Sequence, residues 1–258
     1  MQVSWMNLKP CFTASKVATL IGMNPYQQPF PELIQLMSQL NVPLCVEGPY
    51  TRPEEKEQLD RHMLQLVKPH ITEKTTVEEL QKLEKELFVS GPLGPQAANA
   101  ARMRYGQVAE KTSIDALKSE GLYGDGQYMK GEFKHFYISG KTDGTYNDKI
   151  VEIKNRRSRF LGVTSYERPQ FECYMRLFGT TELYLCETLK LESGMKQKLT
   201  LVKSDDTLWS LILERLTNIS KFVEEVQERP FLQQLDEELL EIHFQQFLNE
   251  IISMNNKN

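Results

Sequence analysis

The stretch from Phe133 to Lys154 constrains the fold most, because apolar and polar side chains alternate there with a period of two. Phe133 to Ser139, Lys141 to Tyr146 and Lys149 to Lys154 read as three short strands, with Asn147-Asp148 as a tight turn between the last two. On both sides the period is helical. Thr13 is placed as the N-cap of a helix over Ala14 to Ile21 that Gly22 closes. Further helices are expected over Glu32 to Leu40 and Glu54 to Lys68, and from the Thr76-x-x-Glu79 capping box to about Phe88. Gly91 to Pro95 breaks the chain before a helix over Gln96 to Glu120. That helix sets Tyr105, Val108, Ala109, Thr112 and Ala116 on one face.

After the strands, a helix over Arg168 to Phe178 leads into an interior strand, Glu182 to Glu187, and another at Gln197 to Val202. Two amphipathic helices finish the chain, marked by Ile212, Leu216, Ile219 and Val223, then by Leu240, Phe244, Phe247 and Ile251. This order predicts an α/β fold, a small mixed sheet with a crossover helix and helical additions at both ends. One domain over 1–258 is expected, with 41–95 as a helical insertion and 205–258 as a C-terminal helical pair.

Composition narrows the class only a little. Apolar residues make up 40% and charged residues 26%, as in a globular protein, and no stretch is long and apolar enough for a membrane span. The first ten residues do not read as a secretory signal, and Cys11, Cys45, Cys173 and Cys186 form no C-x-x-C pair. Reduced thiols and an intracellular location are the expectation. The net charge of −4 is uneven. From Asp205 onward eleven acids meet four bases, a balance of −7 that leaves about +3 for the first 204 residues. A basic body of this kind is compatible with binding phosphate.

Chemistry concentrates at Asp143, Glu152 and Lys154. Glu152 and Lys154 lie two apart on one strand, so they share a face, and pairing of the hairpin brings Asp143 alongside Glu152. Two carboxylates and an ammonium on one patch suit Mg²⁺, which takes one or two protein carboxylates and keeps waters for a phosphate substrate. Lys154 would orient or help deprotonate a water, or neutralise charge in the transition state. Arg156 and Arg157, in the basic run that follows, are candidate phosphate ligands. A solvated strand face carrying an ion pair would give the same short pattern.

Four blocks in order, from about residue 5 to 187, make the chain resemble the PD-(D/E)XK nuclease superfamily, in particular its lambda-exonuclease/YqaJ-like viral recombinase (alkaline exonuclease) branch. They are Phe12-Thr13-Ala14-Ser15-Lys16-Val17-Ala18, Tyr105-Gly106-Gln107-Val108-Ala109-Glu110, the Asp143/Glu152/Lys154 hairpin, and Gln170 with Tyr174-Met175 and Gly179. The resemblance implies a restriction-endonuclease-like core. It implies Asp143 and Glu152 as metal ligands with Glu110 contributing, Lys154 as the catalytic lysine and Gln170 as a group lining the site. It also implies that Thr13 and Ser15 grip a terminal 5′ phosphate, with Lys9 standing where the family shows an arginine after Trp5. A further family glutamine, two positions after Gln170, is Glu172 here.

The activity so implied is a Mg²⁺-dependent deoxyribonuclease, Mn²⁺ substituting, that acts as an exonuclease on duplex DNA ends in replication or recombination. The resemblance implies DNA as partner and allows further copies of the chain; separately, the acidic C-terminal helical pair would suit docking of a partner such as a single-strand annealing protein. A structure-selective endonuclease or nickase on the same core, and a non-catalytic DNA- or protein-binding module, stay open as alternatives. His62, His70, His135 and His243 have no metal-ligand spacing.

Overall fold

A computed structural model describes residues 9–45, 53–89, 94–119 and 123–255. Strand β1 (Cys11–Thr13) runs into helix α1 (Ala14–Leu20), followed by α2 (Pro29–Gln39), α3 (Pro53–Val67) and α4 (Val77–Leu83), which continues through a wider turn over Glu84–Val89. The long α5 (Gly94–Ser119) leads to five strands: β2 (Tyr123–Asp125), β3 (Tyr128–Glu132), β4 (Tyr137–Lys141), β5 (Gly144–Tyr146) and β6 (Lys149–Arg156). Helix α6 (Arg168–Leu177) crosses to β7 (Glu182–Leu191) and β8 (Gly194–Lys203), and α7 (Asp206–Glu228), α8 (Pro230–Gln233) and α9 (Glu237–Asn255) complete the chain.

The strands form two sheets, β1-β4-β3 and β2-β5-β6-β7-β8. Hairpin β5–β6 turns at Asn147 and Asp148, both with positive φ, the backbone that a two-residue hairpin turn requires. β6 and β7 are parallel, so α6 is their crossover and is held beside the same face of β6. The main core gathers Phe12, Phe30, Phe136, Phe171, Phe222 and Phe244 from both ends of the chain around α6. A second cluster packs Val67, Ile71, Val77 and Leu80 against Ala97, Ala101 and Tyr105, so α3 and α4 are seated on α5. The Thr76 capping box forms, with both reciprocal hydrogen bonds present.

Three expectations change. The strand placed at Phe133 to Ser139 is instead a turn followed by β4: the Phe133 amide donates to the Phe136 carbonyl, and the two rings stack on each other while Phe133 also meets Trp209. The strand placed at Lys141 to Tyr146 breaks at Thr142 and Asp143. Finally, β2 and β3 occupy a stretch in which no strand was expected. Trp5 and the Gly91-Pro92-Leu93 part of the expected break lie outside the described residues.

Candidate active site

The break before β5 builds the site. A Cβ at Gly126 would come within 1.9 Å of the Thr142 carbonyl, so only glycine lets the β2–β3 connection lie against Thr142 and Asp143. The Tyr123 hydroxyl donates to the Asp143 carbonyl at 2.5 Å, and the Ile153 amide donates to the Asp143 carboxylate at 2.6 Å. Asp143 thus leaves the ladder and turns its side chain onto β6. Glu152, from the middle of β6, is 3% exposed. Its Oε1 accepts from Lys154 Nζ and from Gln170 Nε2, each at 2.8 Å. No donor reaches its buried Oε2.

Gln170 reaches the site because α6 crosses directly over β6. Its Oε1 accepts from Lys154 Nζ at 3.1 Å, and its amide nitrogen also contacts the Tyr174 hydroxyl, which donates to the Lys141 carbonyl at 3.0 Å. The ring of Tyr174 passes where a Cβ at Gly140 would sit, 2.5 Å from its nearest ring carbon. Gly140 therefore serves close approach rather than an unusual φ. Glu110 arrives from α5 through a clamp: the Asn155 side-chain amide donates to the Gly106 carbonyl at 3.1 Å and the Ser113 hydroxyl donates to Asn155 at 3.3 Å. Glu110 lies between Gly106 and Ser113 at spacings of four and three, on the same helical face.

The electrostatics follow from burial. Burial, and then the Asp143 charge, raise the Glu110 carboxyl above its ordinary pKa, against the pull of Lys154 and Lys141. Burial also raises Asp143, although the Ile153 amide and Lys154 oppose it. Glu152 is pushed up to about 7, by burial first and by the neighbouring acids Asp143 and Glu110, in spite of Lys154. Burial works against the charge on Lys154, but Glu152 and Asp143 outweigh it and hold the ammonium above its ordinary value. Two acceptors facing one another with no donor between them suit a proton or a cation.

Among the described residues no three His, Cys, Asp or Glu side chains form a ready-made metal cage. Magnesium does not need one, since it takes one or two carboxylates and completes its shell with water and phosphate. The orphaned Glu152 oxygen beside Asp143 fits such an ion.

The candidate substrate ligands are dispersed. Thr13 and Ser15 are exposed where β1 meets α1, and the Thr13 side chain makes no cap hydrogen bond. Both line a cavity of about 160 Å³ together with Lys16, Glu32, Gln35 and Gln39. Lys9 is tied to Glu132 at 2.7 Å. Arg157 is exposed and paired with Glu84 at 2.7 Å. Arg156 requires a correction. It is buried, its guanidinium donating to both oxygens of Glu167, to Glu187 and to the Gly162 carbonyl, so it is a bracket inside the fold and not a surface phosphate ligand. The period of two along β6 carries the signal, since it puts Arg156 on the inward face with Glu152 and Lys154. Sequence reading missed Tyr123, Asn155, Glu167 and Glu187 altogether; their partners are distant in the chain.

A mixed sheet with an acid-bearing hairpin and a crossover helix is the architecture that the PD-(D/E)XK resemblance implies. The sequence matches no protein-family model and no curated protein. Solved structures share the fold. The crystal structure of LHK-Exo in complex with dAMP aligns with TM-score 0.50 at 15% identity, over 87% of this chain and 92% of that one. The alkaline exonuclease LHK-Exo from Laribacter hongkongensis aligns with TM-score 0.50 at 13% identity, over 87% and 93%. The chain thus has the mixed α/β fold of an alkaline exonuclease, consistent with the resemblance read from its sequence. No helix among the described residues is long and apolar enough to cross a membrane.

Proposed function

We propose that the chain is a Mg²⁺-dependent DNA nuclease, acting as an exonuclease at duplex ends. The observation that carries this reading is the half-buried Asp143 beside the buried Glu152, with an orphaned Glu152 oxygen and Lys154 and Gln170 locked to the other one. Asp143 and Glu152 would hold the ion, with Glu110 contributing from α5. When bound, the ion lowers the pKa of its water and offsets charge on the phosphate. Lys154, kept cationic by Glu152, donates hydrogen bonds to the attacking water or to the phosphate rather than taking a proton. Gln170 fixes the Glu152 carboxylate and the Lys154 ammonium against each other. Tyr174 and Gly140 anchor that arrangement to β4.

The exonuclease mode is supported by the fold shared with LHK-Exo and by the exposed Thr13 and Ser15 where β1 meets α1. The test uses linear 5′-phosphorylated, linear 5′-hydroxyl and closed circular duplexes with Mg²⁺ or EDTA. Loss of linear DNA alone, abolished by EDTA, supports the reading, and faster loss of the 5′-phosphorylated form that Thr13→Ala and Ser15→Ala remove assigns a phosphate grip to these residues. Cutting of closed circles replaces the exonuclease with an endonuclease on the same site.

A further inference from the structure

The small sheet β1-β4-β3 has one face in the core and one in solvent. Phe12 and Ile138 point inward and are buried, and Gly131 backs onto Leu177. Strand alternation and the β3–β4 register put Tyr128 opposite Lys141, Lys130 opposite Ser139 and Glu132 opposite Tyr137, all on the outer face. β1 adds Cys11 beside Tyr137 and Thr13 beside Ser139. The Cys11 thiol lies 3.5 Å from the Ser139 hydroxyl, as residues sharing a face should.

The composition of this face is specific. Lys130 sits 4.2 Å over the Tyr137 ring, and Lys9 lies 5.7 Å from the same ring. Lys130 and Lys141 are exposed, and neither forms an ion pair with a described residue. Glu132 is the one acid on this face among the described residues, and it is already paired with Lys9. Tyr128 is 63% exposed. At the end that carries Tyr128 and Lys141 the face runs into the carboxylate site: the charge of Lys141 acts on both Asp143 and Glu110. A positive stripe carrying a bare aromatic ring therefore leads out of the candidate active site.

We infer that this face binds an unpaired nucleic-acid strand that continues from the active site, with a base stacked on Tyr128 and phosphates on Lys141 and Lys130. The location of the cut bond rests on the nuclease reading; the binding does not. A duplex shows such a surface only its phosphates, whereas an unpaired strand shows phosphates and base faces together, which is what cations interleaved with an open ring accommodate. Thr13, in the same row as Lys130, borders this path.

The experiment is fluorescence anisotropy of the full chain in EDTA, with a labelled single strand and a blunt duplex of the same sequence, over a salt series. Tyr128→Ala is expected to weaken single-strand binding about ten-fold and leave duplex binding unchanged, with Tyr128→Phe close to wild type. Lys130→Ala should reduce the salt slope for the single strand by about 0.7. Wild-type single-strand affinity and slope in both alanine variants would overturn the inference, as would equal loss on the duplex or no single-strand binding by the wild type. Since nothing is cut in EDTA, this outcome is independent of the cleavage test. Cleavage with an inert Tyr128 refutes the strand path alone, and stacking without cleavage refutes the nuclease alone.

Discussion

Glu152 is buried at a cost that the fold bears only when the carboxyl is charged, and Glu152→Gln exposes that cost. Its pKa of about 7 lies above the ordinary 4.5, so the protonated acid is the form the folded chain prefers. The penalty is nearly absent below pH 4.5, grows as pH rises from 4.5 to 7, and is complete above 7. At pH 8.5 it amounts to about 3 kcal/mol, and at pH 5 to about 1 kcal/mol or less. Glutamine matches the protonated acid in shape and still offers an oxygen to Lys154 and Gln170. Glu152→Gln should therefore raise stability by about 3 kcal/mol at pH 8.5, roughly 6–12 °C in Tm for a chain of this size, and change it little at pH 5. The assay is thermal and urea unfolding of both proteins in EDTA at the two pH values. The same variant should be inactive in cleavage, and added Mg²⁺ should stabilise the wild type but not the variant. A loss of stability at pH 8.5, or an equal gain at both pH values, would refute the reasoning.

Arg156→Ala should cost about 3–5 kcal/mol, because it strands the buried Glu167 and Glu187 carboxylates; denaturant titration reads this, and Arg156→Lys should restore part of it. Arg156 also holds Glu167 below the ordinary carboxylate range against its burial, so the pair's contribution is present above pH 4.5 and fades as pH falls through the depressed folded value. Binding of Mg²⁺ should release about half a proton from Glu152 at pH 7 and more as the pH falls, measurable by calorimetry in buffers of different ionisation enthalpy, and both affinity and cleavage should rise with pH through about 7. Asn155→Ala should loosen Glu110 and weaken Mg²⁺ affinity several-fold, while far-ultraviolet circular dichroism stays unchanged.

Local patterns revealed the parts of the fold that local chemistry decides. The Asn147-Asp148 turn tolerates positive φ, and a period of two fixes Glu152 and Lys154 to one face whatever packs on them. β3 escaped notice because Tyr128-Met129-Lys130-Gly131-Glu132 has little apolar alternation; pairing with β4 makes it a strand. Phe133 and Phe136 read as strand residues but form a turn, in which their rings stack on each other and Phe133 meets Trp209 in α7. Arg156 looked like part of a basic loop because its partners are 11 and 31 residues away, and ion pairs at that separation leave no mark on the spacing. The Asn155 clamp on α5 spans 49 residues to Gly106 and was hidden for the same reason.

Cleavage of a linear 5′-phosphorylated duplex by wild type and Lys154→Ala, with Mg²⁺ and with EDTA, tests the central claim most directly. The wild type should degrade the duplex in Mg²⁺ and not in EDTA, and the variant should lose at least about a hundred-fold, the scale of a positioned charge or proton group. Degradation that continues in EDTA, or a Lys154→Ala protein as active as wild type, would contradict that claim.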